Sequence, residues 1–167
     1  MVTVAPATTQ EVPVYLDEIG KMVPIESVTI VPQVGGKIVA VRFEDGAFVK
    51  KGDLLFEIDP RPFEAALASA RATLAEYKAQ LALASDELKR YTDAVASKAV
   101  SEMEYTQKFN AKAIAEARVD AAIAAVDTAK LNLEYTKIHS PIDGRAGARL
   151  VDPGNVVRDN ATALLVV

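Results

Sequence analysis

Residues 63–140 read FEAALASARA TLAEYKAQLA LASDELKRYT DAVASKAVSE MEYTQKFNAK AIAEARVDAA IAAVDTAKLN LEYTKIHS, a stretch with neither Gly nor Pro. All eight Gly and all eight Pro of the chain lie outside it. These two residues are the strongest local breakers, and the stretch is rich in Ala, Leu, Glu, Lys and Gln, the best helix formers. Its first half repeats Leu67, Leu74, Leu81, Leu88 and Val95 at a spacing of seven, with Ala70, Tyr77, Ala84 and Tyr91 offset by three. That is a heptad seam whose small members let two backbones approach. The second half carries Tyr105, Phe109, Lys112, Glu116, Val119, Ile123, Val126, Lys130 and Leu133 at alternating spacings of four and three. Its three charged members weaken the seam. The plainer alternative is a pair of ordinary amphipathic helices in a larger core, which a narrow seam sustained for four or five heptads disfavours.

Between the halves lies Ala96-Ser97-Lys98-Ala99-Val100-Ser101. Ser101 and Glu104 have the spacing of a capping box, with Val100 and Tyr105 placed as a hydrophobic staple. A helix therefore starts at Ser101, and the chain reverses just before it. The first helix opens at Asp59-Pro60-Arg61-Pro62, with a capping Asp and Pro in the first turn. Helices over about 61–96 and 101–136 would each reach about 50 Å at ~1.5 Å per residue. Folded back on each other, they would set Leu88 against Phe109 and Leu74 against Ile123, while Leu67 and Leu81 would face Lys130 and Glu116.

Outward of the helices, residues 25–58 and 138–167 are short runs of Val, Ile and Thr cut by Gly and Asp, the signature of strands. Shifted by 108 positions, the first flank lies on the second: Gly36-Lys37 on Gly144-Arg145, Gly46 on Gly154, Val49 on Val157, Ile58 on Val166. Each copy is too small to bury an apolar face alone, so the two should pack as one small β-sandwich. Gly36, Gly46, Gly52, Gly144 and Gly154 read as its structural turns.

The chain has 167 residues, is 50% hydrophobic but only 6% aromatic, and has no Trp, which points to thin aliphatic packing. A net charge of −4 without a Lys/Arg-rich run excludes the electrostatic footprint of a nucleic-acid binder. No apolar stretch approaches the roughly 20 residues of a membrane span, and the N-terminus lacks the pattern of a signal peptide. Without Cys, thiolate nucleophiles, thiolate metal sites and a lipid-anchor cysteine are absent from this chain. One His and no Gly-rich phosphate loop leave little for catalysis, and His139, in an extended Ile-His-Ser-Pro context, reads as structural or surface. No enzyme activity, metal or cofactor is expected.

The segment Pro32-Gln33-Val34-Gly35-Gly36-Lys37-Ile38, with Asp45-Gly46-Ala47-Phe48-Val49-Lys50-Lys51-Gly52-Asp53-Leu54-Leu55-Phe56-Glu57-Ile58-Asp59-Pro60, resembles the first half-lipoyl motif of the membrane fusion proteins. These are periplasmic adaptors of tripartite efflux pumps, chiefly of the resistance-nodulation-division (RND) type. Leu133-Glu134-Tyr135-Thr136-Lys137-Ile138-His139-Ser140-Pro141-Ile142-Asp143-Gly144 resembles the motif opening their second half. The resemblance implies an α+β fold in which a long antiparallel coiled-coil α-hairpin is inserted between two halves of a lipoyl-like β-sandwich of the biotinyl/lipoyl-carrier type. The halves would be 25–60 and 137–167, and the hairpin 61–136 with its tip at about 96–101. Residues 1–24, including Val12-Pro13-Val14-Tyr15, are similar to the strand leading in from a β-barrel or membrane-proximal domain, and the chain reads as a piece of a longer adaptor.

The same resemblance implies structural coupling between an inner-membrane efflux transporter and an outer-membrane channel, in the periplasm, attached to the inner membrane and self-associated in a ring of three or six. The family's tip carries Arg, a Leu four residues on, and Ser seven beyond. Arg90 and Ser101 stand at the first and last places, and Ala94 replaces the Leu. The implied channel-binding set is Arg90, Ala94, Val95, Ser97, Lys98, Val100 and Ser101, although the capping box alone would also account for Ser101. Adaptors of ABC-type exporters and of type I secretion systems share these modules and form the alternative. Metal-efflux adaptors are disfavoured by three Met and one His. A lipoyl or biotinyl carrier needs a modifiable Lys in the hairpin between its halves; the only Lys–Met neighbours, Lys21-Met22, lie ahead of the first half.

Overall fold

The computed structural model describes residues 1–11, 14–15, 18–20, 23–96 and 99–167. Its elements are β1 (Thr29–Ile30), β2 (Gly36–Val41), β3 (Phe48–Val49), β4 (Leu54–Ile58), α1 (Arg61–Ala96), α2 (Glu102–Glu134), β5 (Lys137–His139), β6 (Gly144–Arg145), β7 (Val156–Val157) and β8 (Leu165–Val166). Among the described residues of 1–24 none joins a strand; of the segment Val12–Tyr15, Val12 and Pro13 lie outside the described residues, as do Lys21 and Met22.

Local chemistry sets the helix ends. The Asp59 carboxylate accepts the Arg61 N–H at 3.1 Å, relieving one of the donors that a helix start leaves unpaired. Ser101 caps α2 with both arms of the capping box: its hydroxyl accepts from the Glu104 N–H, and the Glu104 carboxylate accepts from the Ser101 N–H. Helix α2 stops at Glu134, two residues earlier than the sequence indicates, with Tyr135 as its C-cap. The buried Thr136 hydroxyl donates to the Leu133 carbonyl at 2.7 Å, which turns the chain out of the helix and into β5.

The two helices lie antiparallel. Near the β end, Ile58 N–H donates to Thr136 O at 2.8 Å, and near the far end Lys108 Nζ meets Glu87 Oε2 at 2.8 Å. Every expected seam residue of α1 from Leu67 to Val95 is buried or half-buried. On α2 the expectation holds for Tyr105, Lys112, Val119, Val126 and Leu133 and fails for the other four. Phe109 and Ile123 are 53% and 40% exposed, Glu116 and Lys130 face solvent, and the inner positions belong to Lys108, Ala115, Ala122 and Ala129, one residue earlier in each case. Leu67, Leu74, Leu81 and Leu88 on α1 and Ala129, Ala122, Ala115 and Lys108 on α2 therefore line the faces that the two helices turn toward each other. Leu67, expected to face Lys130, is among the best-buried helix residues at 7% exposure. Large residues on α1 thus oppose small ones on α2, which lets the helices approach closely.

Each ladder that joins the flanks takes one strand from either side of the helices: β1 with β8, β2 with β7, β3 with β6, β4 with β5, all antiparallel. β2 also pairs with β4, giving the order β5-β4-β2-β7. The internal repeat of the sequence becomes a pseudo-two-fold in the backbone. Arg42 N–H donates to Leu55 O and Leu150 N–H to Leu164 O, both at 2.9 Å; Gly52 N–H donates to Ser140 O and Asn160 N–H to Pro32 O, both at 2.8 Å. Ile58 N–H to Thr136 O is mirrored by Val167 N–H to Val28 O. The mate of Ile58 is therefore Val167, not Val166: one extra residue lies between Asn160 and Leu164, and Val167 is 8% exposed whereas Val166 is 40% exposed. The core under these ladders centres on Ile38, Leu55, Phe56, Ile58, Leu164 and Leu165, with Phe43 set edge-on to Phe56 at 5.3 Å.

Of the five glycines read as turns, three are. Gly46 (φ 80°), its mate Gly154 (φ 101°) and Gly52 (φ 92°) occupy the left-handed region; the mate of Gly52 is Asn160 (φ 51°), of the residue type that best tolerates it after Gly. Gly36 and Gly144 begin strands instead, and close packing explains them. A Cβ on Gly36 would stand 2.6 Å from Ile58 Cγ2, and one on Gly144 2.8 Å from Val167 Cγ1.

Candidate functional site

The far end of the helical arm gathers the residues the sequence singles out. Arg90 is exposed on the last turns of α1, and Ala94 and Val95 follow it half-buried. The Ala99 N–H donates to the Ala94 carbonyl at 2.9 Å as the chain leaves the helix. Val100 is half-buried and Ser101 exposed at the α2 start; Ser97 and Lys98 lie outside the described residues. The apolar tip residues are thus partly tucked into the turn. Met103, on the first turn of α2 and 70% exposed, is a large apolar side chain of the tip that sequence reasoning overlooks. Its position away from both seams was the available signal.

Just below the tip sits a polar clasp. Lys108 occupies an inner position of α2, donates to Glu87 at 2.8 Å and stands 5.4 Å from the centre of the Tyr91 ring. The hydrogen bond from Lys108 holds the Glu87 carboxyl below the usual carboxylate range, and the same bond raises Lys108. Glu104 is lowered by the Ser101 backbone N–H and hydroxyl. At the base of the arm the hydrogen bonds of Arg61 hold Asp59 down to about 2. A cation inside a largely apolar seam, paired across the helices with Glu87, favours one register, because a slip would break that pair.

At the base, an open cleft lies between the free edges of β1 and β5, lined by Ile30, Val31, Tyr135, Ile138, His139 and Pro141. The exposed His139 ring reaches the Gly52 carbonyl through Nδ1 at 2.8 Å, joining the two halves of the β body. Among the described residues no group of three or more His, Asp or Glu is placed to hold a metal, and no helix is long and apolar enough to cross a membrane. The geometry is that of a stiff arm on a small β body, suited to reaching and binding.

Residues 26–167 match the sequence profile of the RND MFP, barrel-sandwich hybrid domain. The chain is 39% identical over 166 residues to the multidrug resistance protein MdtA of Yersinia pestis (strain Pestoides F), covering 99% of this chain and 37% of that protein. Against MdtA of Proteus mirabilis (strain HI4320) the identity is also 39%, with 99% and 40% covered. The chain thus spans well under half the length of the curated relatives it matches. Among solved structures it is similar to a MacA-MexA chimeric protein containing the Pseudomonas aeruginosa MexA alpha-hairpin domain (TM-score 0.61, 39% identity, 86% of this chain and 48% of that one). It is also similar to MacA from Actinobacillus actinomycetemcomitans (TM-score 0.56, 35% identity, 86% and 49%).

Proposed function

The chain belongs to the RND membrane fusion proteins, and from that membership we propose that it serves as the arm and central body of a periplasmic adaptor in multidrug efflux. In this reading residues 25–60 and 137–167 are the two lipoyl-like halves, 61–136 is a coiled-coil hairpin inserted between them, and 1–24 leads in from a β-barrel or membrane-proximal domain. The adaptor links an inner-membrane RND transporter to an outer-membrane channel, is itself attached to the inner membrane, and assembles as a ring of copies. It performs no catalysis; its work is mechanical coupling.

The observation that supports this best is the placement of the tip at the end of an arm of 36 and 33 residues, about 50 Å from the β body. Arg90, Ala94, Val95, Val100 and Ser101 cluster there, and Ser97 and Lys98 belong to the same turn in sequence. Arg90 supplies a planar set of donors suited to carbonyls or a carboxylate on a channel. The small side chain of Ala94, where the family pattern has Leu, leaves less apolar bulk for that contact.

Arg90→Asp in the full-length adaptor tests the docking role. It reverses a charge on an exposed helix face and should change stability by less than about 0.5 kcal/mol. Drug resistance of cells carrying the variant should fall to that of cells lacking the adaptor, at unchanged protein level. Resistance equal to that of the parent would remove Arg90 from the docking surface.

A further inference from the structure

Three charged side chains come together near the far end of the arm, and two of them are paired with each other. Glu87 and Arg90 stand three residues apart on α1, the spacing that sets two side chains within reach on one face of a helix. With nothing beside that helix, Arg90 would fold back on Glu87. Instead the carboxylate is taken from the other helix: Lys108 of α2 donates to Glu87 Oε2 at 2.8 Å, each side chain being 33% exposed. Arg90 is exposed and takes part in none of the ion pairs among the described residues. We propose that Lys108 is a positioning residue for docking: by occupying Glu87 it keeps the Arg90 guanidinium from folding back along α1 and leaves it free to meet the channel. This deepens the docking reading above and rests on it.

The contest for Glu87 is decided by where each cation starts from. Lys108 stands half-buried at an inner position of α2, so little further freedom is lost when it pairs. Arg90 would have to give up the mobility of a long exposed side chain, which is what makes exposed pairs weak. The Tyr91 ring, 5.4 Å from Lys108 Nζ, adds an attraction of its own to the lysine. The other inner lysine of α2, Lys112, is held by Glu116 one turn along the same helix at 2.7 Å. The electrostatics carry the mark of this arrangement. Glu87 is held low chiefly by the Lys108 hydrogen bond, with the Arg90 charge adding a smaller pull. Lys108 is raised chiefly by the same bond, and the like charge of Arg90 works against it. Arg90 thus lies within the field of the pair, attracted by the carboxylate and repelled by the ammonium that holds it.

A guanidinium already bound to a neighbouring carboxylate must break that bond before it can dock. The handicap is about two- to fivefold per arm, the scale of a partly exposed ion pair, and it multiplies where several arms of one ring dock together. Because Lys108 comes from α2 and Arg90 from α1, the pairing of the two helices and the availability of Arg90 depend on one contact. A slip of the helices would withdraw Lys108 and let Arg90 fold back.

Three variants of the full-length adaptor separate positioning from plain stability of the arm. Lys108→Met leaves Glu87 without its partner, Arg90 should turn back to it, and drug resistance should fall by about two- to fivefold per docked arm. Glu87→Gln strands Lys108 but offers Arg90 no charge, so resistance should stay at the parental level. Lys108→Met with Glu87→Gln should recover what Lys108→Met loses. In the 167-residue chain, the Nε–H signal of Arg90, identified by its loss in Arg90→Lys, should exchange with water more slowly in Lys108→Met and at the parental rate in the double variant. Equal losses of resistance in Lys108→Met and Glu87→Gln would make the pair a strut between the helices and overturn the inference. Parental resistance in Lys108→Met, or unchanged Arg90 exchange, would overturn it too, and a loss in Arg90→Asp would then leave the docking reading standing. Parental resistance in Arg90→Asp would overturn that reading and this inference with it.

Discussion

Replacing Gly36 by Ala adds one methyl group where the β body has no room for it. The new Cβ would stand 2.6 Å from Ile58 Cγ2, and Ile58 is fully buried between β2 and β5. Ordinary carbon contacts begin near 3.5 Å, so one side must retreat by close to 1 Å in a core that does not yield. Overpacking of this kind costs about 1–3 kcal/mol. Loss of glycine freedom in the unfolded chain offsets about 0.4–1 kcal/mol of that, leaving a net destabilisation of about 1–2 kcal/mol. Gly144→Ala, at 2.8 Å from Cγ1 of Val167 at the chain's last residue, should cost less than its mate. Ile58→Leu removes Cγ2 at constant volume, so Gly36→Ala should be cheaper in that background, with a coupling of order 1 kcal/mol. The assay is urea unfolding followed at the strand amides of Ile38 and Ile58 by NMR, with far-UV circular dichroism reporting the helices. An unchanged midpoint for Gly36→Ala, or the same loss with and without Ile58→Leu, would refute close approach as the reason for glycine there.

The remaining expectations concern the arm and its attachment. Leu67, at 7% exposure, should cost most on replacement by Ala, about 2–3 kcal/mol of arm stability, with the half-buried Leu74 and Leu81 nearer 2 kcal/mol or less; equal losses at all three in thermal melts would show that burial in the seam does not set the cost. Ser101→Ala removes both capping hydroxyl contacts and should cost about 0.5–2 kcal/mol, seen as faster amide exchange through the first turns of α2. Deleting 62–137 and joining the ends by a short turn should leave a folded β body, because β4 and β5 pair directly, Phe56 with Ile138, and so hold the cut ends close together; loss of strand signal in circular dichroism would show that the body depends on the arm. Asp59, Glu87 and Glu104 are all lower in the folded chain than in the unfolded one, so their contribution is present above about pH 4 and is lost as pH falls through the folded values, to about 2 for Asp59. The melting midpoint of the arm should drop across that window, and Asp59→Asn with Glu104→Gln should flatten the drop.

Much of this molecule is legible in one dimension because its signals are local. The absence of breakers from Phe63 to Ser140, the Asp59 and Ser101 caps and the leucines of α1 depend on neighbours within a turn or two. The flanking repeat announces itself through Gly46, Gly154 and the Val49–Val157 pair, positions where backbone conformation or burial allows little choice. The set of tip residues follows from the turn, while what they bind rests on family resemblance and on the test of Arg90.

What needed the third dimension was which face of α2 turns inward. That helix is so rich in alanine that hydrophobic contrast around it is weak, and Phe109 and Ile123 draw a sequence reading one residue away from the true seam. The leucines of α1 decide the matter: bulk on one side of a close helix pair demands small residues on the other, so Ala115, Ala122 and Ala129 go in and Phe109 and Ile123 stay out. Gly36 and Gly144 tell the same story in the β body, since their lack of a side chain has meaning only once Ile58 and Val167 stand against them. The order and type of the elements were determined by the sequence alone through backbone propensity and capping. The faces they present and the slip from Val166 to Val167 were decided by packing between segments far apart in the chain.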